Sequence, residues 1–337
     1  MSLLKVEDLK VYYETKRGVS QAVDGISFEL DESQSIGLVG ESGCGKSTTV
    51  KGIVQVMPKN AFIPAGQVYY KNQDLLTLNE KEINKMRWSE IAMVPQAAMD
   101  SLNPVYTVKN QFLEVMKIKG TKTKKEALKR AEMLFQKVGL SKDLLNYYPH
   151  QFSGGMKQRA VIALALALNP GLIITDEPVT ALDVIVQHQI LKELKSLRED
   201  FNISLVMITH DISVVAQTCD YIVVMYAGKI VEKGTANQIL KDPLHPYTMG
   251  LENSFPDINK PDKQLISIAG SPPELIDPPK GCRFAPRCPF AEEICFREEP
   301  ALQELKTGHY SACIHQDNLS ELRKQSQEVK TWQNKTM

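Results

Sequence analysis

The run Gly40-Glu41-Ser42-Gly43-Cys44-Gly45-Lys46-Ser47 has the spacing G-x-x-x-x-G-K-S of a phosphate-binding loop. Its chemistry follows from the residue types. Glycines let successive backbone N–H groups face inward as an anion cradle, and the helix expected from Thr48 adds its positive N-terminal end. Lys46 supplies a full charge for β- and γ-phosphates, and the Ser47 hydroxyl can ligate Mg²⁺. A second chemical run, Leu172-Ile173-Ile174-Thr175-Asp176-Glu177, is an apolar stretch ending in two carboxylates. Alone, Asp-Glu-Pro reads equally well as a capped helix entry. Beside a phosphate loop the two acids divide labour: Asp176 in a Mg²⁺ shell, Glu177 polarising the attacking water. A third run, Phe152-Ser153-Gly154-Gly155-Met156-Lys157-Gln158-Arg159, precedes an apolar helix and offers N–H groups and the Ser153 hydroxyl as another anion site, a weak signal by itself.

These residues need strands and helices to hold them. Leu3–Tyr13 and Ile26–Leu30 alternate as half-exposed strands, whereas Ser35–Val39 is a short apolar run that feeds the glycine loop. Thr48–Val56 has helical character up to Pro58. From about Lys81 to Leu140 strand signals are weak, and Ala127, Ala131, Leu134, Phe135 and Val138 recur at helical spacing, so this segment is expected to be mostly helical. After Val161 helices alternate with the apolar strands Leu172–Thr175, Ser204–Ile208 and Tyr221–Met225. That alternation predicts an α/β fold with a largely parallel, covered sheet. Beyond Asp242, repeated prolines interrupt every long element and mark a loop-rich appendage, and 317–337 is a polar tail.

Composition narrows the class. With 337 residues, 43% apolar and 24% charged, the chain suits one large α/β domain plus an appendage, or two domains. Forty basic residues balance forty acidic ones, so no global field draws it to nucleic acid or anionic lipid. The longest apolar run, which contains Val161–Leu168, is far below the roughly 20 residues of a membrane span, and the N-terminus has no signal-like stretch, which predicts a chain that stays in the cytosol.

Taken together, the phosphate loop, the Ser153 run and the acidic strand end resemble the nucleotide-binding subunit of an ATP-binding cassette (ABC) transporter over about Leu3–Leu240. The resemblance implies a P-loop cassette with a helical subdomain, ATP and Mg²⁺ as ligands, and ATPase activity. Gly40, Ser42, Gly43, Cys44, Gly45, Lys46, Ser47 and Thr48 then hold ATP. Ser153, Gly154 and Gly155 form the signature that meets nucleotide on a partner chain, so two chains make two composite sites. By the same matching, Tyr13 stacks on adenine, although Tyr12 is adjacent. Gln96 is the sensor near Mg²⁺, Ala181-Leu182-Asp183 the D-loop and His210 the switch. The resulting assignments are Lys46, Gln96, Glu177 and His210 to catalysis and Ser47, Gln96 and Asp176 to Mg²⁺. Phe152 and Met156 depart from the usual signature, as in the oligopeptide, dipeptide and nickel importers. His245-Pro246-Tyr247-Thr248 and Gly281-Cys282-Arg283-Phe284-Ala285-Pro286-Arg287-Cys288-Pro289 resemble the C-terminal extension of that branch.

Cys282, Cys288, Cys295 and Cys313 are separated by five, six and seventeen residues. That spacing chooses no ligand: a cluster, zinc, and free or disulfide-bonded thiols all stay open. The resemblance points to a [4Fe–4S] cluster, with Arg283, Arg287 and Arg297 offsetting its charge. The expected organisation is a nucleotide-binding domain over 1–241 (helical subdomain about 97–160), a Cys-containing extension over 242–316, and a tail over 317–337. The expected function is the ATP-hydrolysing subunit of a di- or oligopeptide importer, peripheral on the cytoplasmic face. Its expected partners are a second, homologous or identical ATPase subunit, two transmembrane permease subunits and, indirectly, an extracellular solute-binding protein. Nickel or sugar import is the nearest alternative. A soluble ATPase acting on DNA or ribosomes is disfavoured, since 108 positions from Gly45 to Ser153 leave no room for a long coiled coil. No nucleic-acid partner is expected.

Overall fold

The computed structural model describes residues 2–96, 98–119, 123–180, 182–254 and 265–333. The chain forms two compact units, one of 1–3, 30–35 and 77–208, the other of 4–29, 36–76 and 209–337. Both carry strands flanked by helices, and each strand's burial follows its pattern of residue types.

In the first unit, Leu172–Asp176 lies parallel to Ile91–Val94 on one side and to Ser204–Thr209 on the other. Every residue of Leu172–Asp176 and of Ser204–Thr209 is buried, as expected for a parallel ladder covered on both faces. Ile91–Val94 falls in the stretch read as mostly helical. Four apolar residues are too few for a period to separate strand from helix, and pairing with Leu172–Thr175 decides the matter. The same unit holds the helices Val108–Ile118, Lys124–Lys137 and Gly154–Ala165. The first two meet at Phe112 and Phe135, both fully buried, with ring centroids 5.6 Å apart. Asn103 and Tyr106 hand their carbonyls to Gln111, which fixes the loop ahead of the first of these helices.

In the second unit, Tyr221–Tyr226 runs parallel to Ser35–Val39 and antiparallel to Lys229–Thr235. The last of these also pairs with His309–Ser311, which in turn pairs with Gln303–Lys306, so the C-terminal region extends the ladder. Ser2–Thr15 forms a separate antiparallel ladder with Gln67–Tyr70. The C-terminal region is also pinned by Glu232, whose buried carboxylate accepts the N–H groups of Leu244 and His245 (2.8 Å each) and His309 Nε2–H (2.7 Å). Buried polar oxygens are tolerated when hydrogen-bond donors supply them, as here. Among the described residues no helix is long and apolar enough to cross a membrane.

Candidate nucleotide-binding site

The strand Ser35–Val39 is entirely buried and delivers the chain into the glycine loop. Gly40 has φ +151°, and a Cβ there would stand 2.1 Å from the Met225 carbonyl oxygen. At Gly45, with φ +104°, a Cβ would meet Ala22 O at 2.4 Å. Only glycine fits either position. Gly45 is also the N-cap of Lys46–Ile53 and offers no side chain to the first helical N–H groups, which leaves them for an anion. Lys46 is nearly buried, and its ammonium donates to Gly40 O (2.6 Å) and Glu41 O (3.0 Å), so it lies within the cradle its own loop forms. Ser47 and Thr48 occupy the first helical turn, and Tyr13 OH lies 3.2 Å from Thr48 Oγ1, whereas Tyr12 OH turns away to donate to Asp24 (2.8 Å). The backbone cradle, the buried lysine and the open helix start suit a triphosphate.

The acidic strand end belongs to the first unit. Asp176 is buried at the end of its strand. Glu177 follows with φ +49°, a left-handed conformation costing on the order of 1 kcal/mol, held by its N–H donating to Ile208 O (2.8 Å). Glu177 Oε2 accepts from Gln96 Nε2 and from Thr180 Oγ1, both at 3.0 Å. Two residues 81 positions apart in sequence are thereby joined through the carboxylate assigned as base. Ser153 is the N-cap of Gly154–Ala165, its Oγ accepting Met156 N–H at 3.3 Å, so that helix starts in the signature run itself, seven residues before the apolar stretch that marks it in sequence. Asp183 caps Val184–Phe201 in the same way through Val186 N–H (3.0 Å). Ala181 lies outside the described residues. In the second unit, His210 is exposed between Thr209 and Asp211, the latter capping Ile212–Thr218.

The four C-terminal cysteines converge. Cys282, Cys288, Cys295 and Cys313 line one apolar cavity of only about 10 Å³, together with His245 and His315. Among the described residues, however, no group of three or more His, Cys, Asp or Glu side chains is arranged to hold a metal ion. The [4Fe–4S] cluster, and iron–sulfur or metal-binding character for this region, are therefore corrected. The physical reason is that the space admits no more than about one water. Burial also favours the neutral thiol, pushing Cys313 up to about 12 and raising Cys282 and Cys288. The arginines expected to balance a cluster are engaged elsewhere. Arg283 donates to Asp24 (2.5 Å), Arg287 to Glu41 (2.7 Å), and Arg297 pairs with Glu293 at the surface. The link from Arg287 to the phosphate loop escaped sequence reasoning, because its only signal was an acid at a spacer position of the glycine motif.

With this geometry established, residues 23–180 match the family model described as ABC transporter, and 231–295 match the one described as Oligopeptide/dipeptide transporter, C-terminal region. The chain belongs to the ATP-binding subunits of the ABC transporter family, as an ATPase with the cassette fold and the oligopeptide/dipeptide-type C-terminal region. It is 44% identical over 313 residues to "Dipeptide transport ATP-binding protein DppD" of Caldanaerobacter subterraneus subsp. tengcongensis, covering 92% of this chain and 96% of that one. It is likewise 44% identical over 322 residues to "Oligopeptide transport ATP-binding protein OppD" of Bacillus subtilis, covering 94% and 90%. Among solved structures it resembles the ATP-binding cassette MJ0796, a dimer bound to ADP and Pi, with TM-score 0.63 and 28% identity over 69% of this chain and 98% of that one. ATP and Mg²⁺ follow as the ligands of this family.

Proposed function

We propose that this chain is the motor subunit of an importer that takes up di- and oligopeptides, attached to the cytoplasmic face of the membrane through two permease subunits. The observation that carries the reading is near-full-length similarity, through both cassette and C-terminal region, to proteins named for dipeptide and oligopeptide transport. The domain division follows the sequence: a nucleotide-binding part over 1–241, with its helical subdomain at about 97–160, an extension over 242–316 and a tail over 317–337.

In this reading the P-loop amides and Lys46 bind the triphosphate, Tyr13 stacks on the base, and Ser47, Gln96 and Asp176 would hold Mg²⁺. Glu177 takes a proton from the attacking water, Gln96 orients that carboxylate, and His210 contacts the γ-phosphate. Ser153, Gly154 and Gly155 meet nucleotide held by a second cassette, alongside Asp183 of the D-loop. Hydrolysis then loosens the pair, because the γ-phosphate contacts to both chains are lost. Support for a paired assembly comes from Val184 and Ile185, next to Asp183, which stand 78% and 73% exposed. Val105 and Tyr106, beside the segment Asp100-Ser101-Leu102-Asn103-Pro104, are exposed apolar residues of the kind a permease would cover.

The test is uptake. Deleting the gene should abolish entry of labelled di- and oligopeptides, and restoring the wild-type gene, but not one encoding Lys46→Ala, should recover it. Unchanged peptide entry with lost nickel or sugar uptake would refute the peptide assignment.

A further inference from the structure

We infer that Arg287 and Tyr247, both from the C-terminal region, are positioning residues for the phosphate-binding loop and act through Glu41. This rests on the nucleotide reading of that loop. Glu41 occupies a spacer position of G-x-x-x-x-G-K-S, where the pattern demands no acid. In the fold all three of its polar handles are engaged. Its carboxylate receives a fork from Arg287, Nη1 to Oε2 at 2.7 Å and Nη2 to Oε1 at 3.0 Å. Its N–H donates to Tyr247 OH at 2.8 Å, and its carbonyl accepts from the Lys46 ammonium at 3.0 Å. Two of these anchors come from the C-terminal region, and the third is the lysine that would meet phosphate.

The anchors are themselves rigid. The Arg287 side chain is 7% exposed, donates further to Ala269 O (2.8 Å), Ile268 O (3.1 Å) and Tyr226 OH (3.2 Å), and sits over the Tyr226 ring. Tyr247 is fully buried and packs edge-on to Tyr226, with centroids 4.7 Å apart, and against Phe284 at 5.3 Å. A bidentate guanidinium–carboxylate pair fixes orientation as well as distance, which the point charge of a lysine does not. The loop it holds contains three glycines with positive φ and so has much backbone freedom to lose on binding. Fixing Glu41 beforehand removes part of that loss and preorganises the cradle. The effect belongs to nucleotide affinity rather than to the chemical step, because Arg287 and Tyr247 act through Glu41 on the loop that would hold the phosphates.

The experiment measures binding of Mg²⁺ with ATPγS to the full chain by titration calorimetry, beside thermal unfolding, and steady-state ATPase in the transporter complex. Arg287→Met should weaken binding on the order of tenfold while leaving kcat at saturating ATP within about twofold, and Arg287→Lys should fall between it and wild type. The double variant Arg287→Met/Glu41→Gln should bind no more weakly than the weaker single variant, since both remove one coupled pair. Arg17→Ala, which breaks the exposed Arg17–Glu274 pair, should bind as wild type does. Wild-type affinity in Arg287→Met despite a lowered melting temperature, or additive losses in the double variant, would overturn the inference. If Arg287→Met does not fold, Arg287→Lys with affinity equal to wild type does the same. Failure of the wild-type chain to bind Mg²⁺-ATPγS would instead refute the nucleotide reading.

Discussion

Replacing Glu177 with Gln separates chemistry from architecture. The Gln96 and Thr180 donors lie 3.0 Å from Glu177 Oε2, and a glutamine amide oxygen can accept both. The backbone bond from residue 177 to Ile208 O is untouched, and the side chain is only half-buried. The cost to folding is therefore no more than about 1 kcal/mol, the size of one ordinary hydrogen bond. The amide cannot take the proton of water, and loss of a general base commonly lowers the rate by about 10²–10⁴, or about 3–5 kcal/mol of barrier. Phosphate release from the assembled transporter should drop by that factor. Nucleotide affinity and melting temperature should stay near wild type, and the ATP-bound pair should accumulate on size-exclusion chromatography. Turnover within about tenfold of wild type would refute the role of Glu177 as base.

Ser153→Ala removes the cap of Gly154–Ala165, so it should cost about 1 kcal/mol in denaturant unfolding yet lower ATPase at least tenfold, a loss capping alone does not explain. Glu232→Ala leaves the buried donors of Leu244, His245 and His309 unmet and should destabilise the fold by about 3 kcal/mol, read as a lower urea midpoint at unchanged slope. His245 is buried and pushed down to about 3 by desolvation, opposed by its bond to Ala312, while its Nδ1 accepts Tyr247 N–H. Below pH 6.5 the unfolded imidazole takes a proton that the folded one refuses. Stability is therefore complete well above pH 6.5 and falls by up to about 1.4 kcal/mol per pH unit as pH drops from 6.5 towards 3. Urea midpoints at pH 7.5 and 5.5 should show this slope in wild type and a flatter one in His245→Gln.

The residues of the phosphate loop, the acidic strand end and the signature were legible because each group is contiguous: its spacing is the geometry of one turn and its flanking element. The buried strands Leu172–Asp176 and Ser204–Thr209 were legible for the same reason, as unbroken apolar runs. Ile91–Val94 was not, since a run that short takes its state from the neighbour it pairs with. The cysteine spacing left the ligand open, and the family resemblance pointed to a cluster that the packing does not support. Thiols can converge in space and still close around too little room for a metal, which depends on how the surrounding chain packs.

The sequence by itself determined the chemistry available to this protein: a lysine in a glycine cradle, a carboxylate pair after an apolar strand, and serines placed to cap helices. Only the tertiary structure decided which distant side chains restrain those groups. Glu41 and Arg287 stand 246 positions apart, and Asp24 and Arg283 stand 259 apart. No local periodicity encodes either pairing. Each forms because burying the C-terminal region brings charges out of water, where a carboxylate and a guanidinium must find one another.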